Sequence, residues 1–131
     1  MKVTASAISL NVLDVPASAA FLKTHFGFSE NMVVEDKVVS LSRDGVGFNL
    51  IYLKTGLETF KPKHRAGNAE NGLLVVFVVE NIDAEYARLR AEGVRVVTPI
   101  ETEPWGERYF QVEDPNGVIV QLVQWVAQPA L

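Results

Sequence analysis

The chain contains no cysteine. Disulfides, thiolate nucleophiles and cysteine-based zinc sites are thereby excluded. Histidine is scarce: His25 and His64 are the only two, and neither falls on a predicted strand. Basic charge is in deficit, with 12 Lys and Arg against 16 Asp and Glu and a net charge of −4. Binding to nucleic acid demands a basic patch, so that class of partner is excluded. A charge this small favours a neutral or cationic partner over an anionic one. No long hydrophobic run exists; the longest, Leu73 to Val79, is far short of the roughly 20 residues a bilayer needs. Met1-Lys2-Val3-Thr4 leads straight into strand-like sequence with no apolar leader, so no membrane contact and a cytoplasmic location are expected. There is no Ser-His-Asp set, no glycine-rich phosphate loop and no isolated pair of inward carboxylates, so no catalytic residue is assigned.

What is present is an ordinary globular composition, 48% hydrophobic and 21% charged over 131 residues. That length bounds one domain with a sizeable core, expected over 1–128. Ala5 to Val12 alternates like a strand. Asp14 and Pro16 then open a helix to about Phe26, with Gly27 just past its end. Three strands follow at Glu30 to Val34, Val38 to Ser42 and Val46 to Leu53, separated by Glu35-Asp36-Lys37 and Asp44-Gly45. Lys54 to Asn71 is polar, patternless and carries Lys61, Lys63, His64 and Arg65. It reads as a connecting loop, and loops this long are mobile or functional.

The same series then repeats. Leu73 to Val79 is a strand, Asn81 caps a helix with the stripe Ile82, Tyr86 and Leu89 ending at Gly93, and Val94 to Thr98 is a strand. Tyr109 to Glu113 and Val118 to Trp125 close the set as a hairpin on Asp114-Pro115-Asn116-Gly117. The chain is therefore β-α-β-β-β twice, with modules at about 1–54 and 72–127. Aligning Asp14 with Asn81 pairs Ala7 with Leu74, and aligning Asp44-Gly45 with Asn116-Gly117 pairs Asn49 with Gln121. Two lone amides at matching places in apolar strands point to polar groups converging on one cleft between the modules.

The double module resembles the vicinal oxygen chelate superfamily, the glyoxalase/bleomycin-resistance/dioxygenase group. The resemblance covers nearly the whole chain. It rests on Asp14-Val15-Pro16-Ala17-Ser18 leading to Phe26-Gly27-Phe28, on Asn81-Ile82-Asp83-Ala84 leading to Glu92-Gly93-Val94, and on Pro104-Trp105-Gly106 followed by Asp114-Pro115-Asn116-Gly117. It implies an α+β fold in which two βαβββ modules form an open, eight-stranded curved barrel around a pocket. In metal-dependent members, ligands project from the first and last strands of each module. The matching positions here are Ala7, Asn49, Leu74 and Gln121. Two have no donor atom and two offer only neutral amides, so no metal and no other cofactor are expected. Trp105 resembles the bleomycin-resistance branch, whose members bind a drug without metal, as dimers.

These residues lead to one expectation, a metal-free protein that binds and sequesters an antibiotic or other xenobiotic. The alternative is a lyase or dioxygenase of the same superfamily, metal-free through Tyr109 or an amide, or with an atypical metal site. If Asn49 and Gln121 face the pocket, alternation places Gly47, Ile51, Ile119 and Val123 beside them. Ser9 and Asn11 share the face of Ala7, and the resemblance turns Tyr109 and Gln111 inward. The candidate ligand-binding set is Ser9, Asn11, Asn49, Trp105, Tyr109, Gln111 and Gln121. It suits an aromatic or heteroaromatic small molecule held by stacking and amide contacts, and a homodimer is expected. Each residue also has a plain structural use: Trp105 as a core cap, Ser9 and Asn11 on an edge, Tyr109 as a core aromatic. Glu107 and Arg108 read as a surface pair, and Asp83 needs no role beyond the helix dipole.

Overall fold

The computed structural model describes residues 1–126. The expected ends of the second module and of the domain, at 127 and 128, lie outside the described residues. The element order is β1 (Ala7–Val12), α1 (Val15–Phe26), β2 (Ser29–Val34), β3 (Val38–Ser42), β4 (Asn49–Lys54), β5 (Leu74–Val78), α2 (Ile82–Ala91), β6 (Val96–Thr102), β7 (Glu107–Glu113) and β8 (Ile119–Trp125), with a single 3-10 turn at Lys63–Arg65. This is the expected α+β chain of two βαβββ modules. The strands hydrogen-bond as two separate mixed sheets, ordered β1-β4-β3-β2 and β5-β8-β7-β6. Two compact units result, Met1–Asn71 and Gly72 onward. Among the described residues no helix is long and apolar enough to cross a membrane.

In the first unit the Asp14 side chain accepts from Ala17 N at 3.2 Å, satisfying one orphan donor of α1. Gly27 ends the helix in the left-handed conformation, φ 69°, as the sequence predicts. α1 packs on β2, β3 and β4. Its Val15, Ala19, Leu22 and Phe26 bury against one face of the sheet, where Leu41, Leu50 and Tyr52 are almost fully enclosed. The loop before the second unit is less free than its composition predicts. Ala69 N donates to Asn11 O at 2.8 Å and Thr55 N to Val12 O at 2.9 Å. The Thr55 hydroxyl also donates to the Asn68 side chain. Both ends of the stretch are thus tied back to the edge strand β1, while its four basic side chains remain exposed.

In the second unit Asn81 caps α2 through Ala84 N at 3.1 Å, and the Gln124 side chain accepts from Ile82 N at 3.0 Å, fixing the helix start to β8. Ile82 and Leu89 are fully buried. The Tyr86 ring meets Phe110 edge-on with centroids 4.9 Å apart. Phe110 and Val112 therefore lie beneath the helix, on the face opposite Tyr109 and Gln111, as the family resemblance implies. The hairpin turn is held by Asp114, whose Oδ1 accepts from Asn116 N at 2.8 Å and Val118 N at 2.9 Å.

Several expectations need correction. β4 starts at Asn49 rather than Val46, because Gly47 and Phe48 form a bend; Gly47 belongs to no strand face. β6 extends from Val96 to Thr102 through Pro99. It is an edge strand, where a missing N–H is tolerated, and its register shifts on both sides of Thr98. Arg108 pairs with Asp83, at 2.7 Å and 3.3 Å, not with Glu107. The repeat alignment also slips by two residues in its second half. Ala7 pairs with Asn49 and Leu74 with Ile119, so the counterpart of Gln121 is Ile51. The bend at Gly47-Phe48 supplies the two extra residues, and a slip of two keeps the face while changing the neighbour.

Candidate functional site

Each sheet carries its helix on one face only, and the helix-free faces hold the candidate residues other than Trp105. In the first unit, cross-strand rows run Ser9–Ile51–Ser40–Met32 and Asn11–Leu53–Val38–Val34. Ser9 is exposed, Asn49 half-buried and Asn11 only 4% exposed. Asn11 lies where the returning loop joins β1, so burial there follows from the Ala69 contact. Asn49 starts β4, with its own N–H spent on Ser6 O at 3.0 Å. A separate polar hollow of about 320 Å³ in this unit is lined by Gly27, Ser29, Ser42, Arg43 and Asp44. Its guanidinium is engaged by Phe26 O at 2.7 Å and Asp44 O at 3.0 Å, which closes the end of α1.

The second unit brings Gln111 and Gln121 together. They are Cα partners across β7 and β8, and Val76 continues the row on β5. The Thr98 hydroxyl donates to Gln111 Oε1 at 2.7 Å, and Gln111 Nε2 donates to Gln121 Oε1 at 2.8 Å. The three side chains are half-buried and form one directional chain. The flanking rows on this face are Tyr109–Val123–Val78 and Ile119–Leu74. Leu74, Val76 and Val78 are exposed by 42% or more, an apolar strip beside the amides.

Tyr109 shares this face, but its hydroxyl meets Glu101 Oε1 at 2.7 Å and Glu103 Oε1 at 2.8 Å. Hydrogen bonds to Glu101 first, then Glu103, hold its pKa far above the ordinary phenol range, since ionisation would set three negative oxygens together. Trp105 lies in the turn between β6 and β7 and is 49% exposed. Trp125 is equally exposed and sits on the helix-free face opposite Glu107. Sequence alternation from Gln121 through Val123 reaches Trp125, so that residue was within reach of the pattern. Thr98 was not, because two register shifts separate it from any simple count.

The donor atoms do not fit a metal. Ala7 and Leu74 carry none, Ile51 takes the place that pairs with Gln121, and Gln121 Oε1 is already an acceptor for Gln111. Among the described residues no three His, Asp or Glu side chains gather in a metal-binding group.

Comparison with known proteins places these features in a family. The model described as the glyoxalase/bleomycin resistance protein/dioxygenase superfamily matches residues 4–122. Among solved structures, a glyoxalase/bleomycin resistance protein/dioxygenase from Nocardioides is 22% identical, with TM-score 0.77, over 100% of this chain and 90% of that one. TioX from Micromonospora sp. ML1 is 21% identical, with TM-score 0.71, over 94% and 99% of the two chains. Lactoylglutathione lyase from Agrobacterium tumefaciens is 16% identical, with TM-score 0.72, over 94% of each. At these identities the likeness is one of fold. No curated protein matches the chain by sequence.

Proposed function

The chain belongs to the glyoxalase/bleomycin resistance protein/dioxygenase superfamily, and from that premise we propose that it binds and sequesters a flat, uncharged organic molecule, an antibiotic or other xenobiotic, without metal and without chemistry. The observation that carries this reading is the Thr98–Gln111–Gln121 chain beside the exposed Leu74, Val76 and Val78. Half-buried amides linked to one another are costly to disturb and neutral in charge. Combined with an apolar strip, they favour a ligand held by many weak contacts over one held by an ion pair. The alternative of metal-free catalysis through Tyr109 is disfavoured by its hydroxyl, whose single hydrogen is committed to two carboxylates.

Titration with aromatic antibiotics and quinones, followed by tryptophan fluorescence, tests the reading. Saturable quenching that yields unchanged ligand on recovery supports it. Turnover of a glutathione hemithioacetal or a catechol, with or without added Ni²⁺ or Fe²⁺, would overturn it in favour of a lyase or dioxygenase. The exposed apolar residues of β2 (Met32, Val33, Val34) favour a symmetric homodimer. Light scattering should then give about twice the 14.4 kDa chain mass; a stable monomer at micromolar concentration would refute the dimer.

A further inference from the structure

We propose that Gln121 recognises the ligand as a hydrogen-bond donor, so that the molecules bound are planar compounds carrying a carbonyl or ring-nitrogen acceptor. The inference rests on the binding reading above and gives that reading a polarity. A primary amide has one acceptor oxygen and two N–H donors on its nitrogen. Thr98 Oγ1 donates to Gln111 Oε1, and Gln111 Nε2 donates to Gln121 Oε1. Each amide oxygen therefore already accepts one bond inside the sheet. The chain ends on Gln121 Nε2, with no acceptor for it among the described residues.

The surroundings leave that donor for an outside partner. Its neighbour across β5 is Val76, 42% exposed, and the next residue along its own face is Val123. Tyr109, the nearest polar side chain on the adjoining row, is turned to Glu101 and Glu103. A flat molecule lying on Leu74, Val76 and Val78 thus meets the Gln121 amide at its edge, and the part of that amide with no bond inside the sheet is its nitrogen. Turning Gln121 alone would set its nitrogen against the Gln111 nitrogen, donor against donor. Reversing the polarity requires both amides to turn together and the Thr98 hydroxyl to accept instead of donate.

The probes are 1,4-naphthoquinone, which has acceptors only, naphthalene, which has neither donor nor acceptor, and naphthalene-1,4-diamine, which offers donors. The absence of cysteine removes thiol addition to the quinone. Equilibrium dialysis against the full chain should show the quinone bound about tenfold tighter than naphthalene, the effect of one net hydrogen bond. Gln121→Glu keeps the acceptor for Gln111 and replaces the outward donor by an acceptor. It should lower quinone affinity by about tenfold or more and naphthalene affinity by clearly less. In ¹⁵N-labelled wild-type protein, the Gln121 side-chain amide signals, assigned by their loss in Gln121→Glu, should shift on adding quinone. Equal binding of quinone and naphthalene, unshifted amide signals, or a preference for the diamine would each overturn the donor assignment while leaving sequestration standing. Failure of the wild-type protein to bind any of the three would overturn both.

Discussion

Asp114→Ala is the substitution whose consequence follows most directly from the geometry. Asp114 is 4% exposed, and its Oδ1 accepts from Asn116 N and Val118 N. Its own N–H donates to Val118 O at 2.9 Å, so the side chain and the backbone close the same turn. Val118 is 1% exposed, and its N–H would have no water to replace the lost carboxylate. An unsatisfied buried donor costs about 1–3 kcal/mol. Asn116 is half-buried, so solvent recovers part of the second bond and the added cost is about 0.5–1 kcal/mol. The total is about 1.5–4 kcal/mol, a drop in Tm of roughly 10 °C for a chain of this size. Asp114→Asn keeps an acceptor oxygen and loses only the charge assistance, so it should cost about 1 kcal/mol. Urea unfolding followed by tryptophan fluorescence and circular dichroism measures both. A loss below about 0.5 kcal/mol for the alanine variant, or equal losses for the two variants, would refute the reasoning. The turn also sets Gln111 opposite Gln121, so a loosened turn should weaken naphthoquinone binding along with stability.

Three further perturbations probe the fold around the site. Phe110→Ala removes a fully buried ring in contact with Tyr86 and should cost about 3–5 kcal/mol in urea unfolding, whereas a loss under about 1 kcal/mol would mean α2 is not seated on it. Gly27→Ala forces a side chain into φ 69° with its Cβ 3.4 Å from Arg43 Nε; it should cost about 1 kcal/mol, and Gly27→Asn less. Asp83 is held below the ordinary aspartate range, chiefly by its hydrogen bonds from Arg108. Its folded pKa is depressed, so its contribution is present above the unfolded value of about 3.9 and is lost as pH falls through the lower folded value. Arg108→Gln should therefore flatten the acid limb of the Tm–pH profile while leaving its neutral-to-alkaline shape unchanged; an identical acid limb in both proteins would contradict the assignment.

Much of the fold was legible because its signals are local. Asp14 and Asn81 cap helices through side chains three residues from their targets, and Gly27 ends a helix because its φ is positive. The Asp114-Pro115-Asn116-Gly117 turn is equally self-contained. The doubled βαβββ order followed from repeating these cues, while the family resemblance turned Tyr109 and Gln111 to one face and Phe110 and Val112 to the other. The two bare positions, Ala7 and Leu74, were also visible in sequence, though only the family resemblance marked them as ligand-equivalent.

Tertiary structure decided whatever depends on register between strands far apart in the chain. Gln111 and Gln121 are each a lone amide in sequence, and only strand pairing makes them bonded neighbours with Thr98 at their end. The bulges of β6 are paid into no local pattern, so neither Thr98 beside Gln111 nor Glu101 beside Tyr109 could be counted out along the chain. The two-residue bend at Gly47-Phe48 likewise moved the counterpart of Gln121 from Asn49 to Ile51. The partners of Arg108 and Tyr109 were chosen by side-chain reach across strands and onto α2, not by sequence spacing. Alternation assigns a residue to a face, but only the register of the hydrogen-bonded ladder decides which residue it meets there.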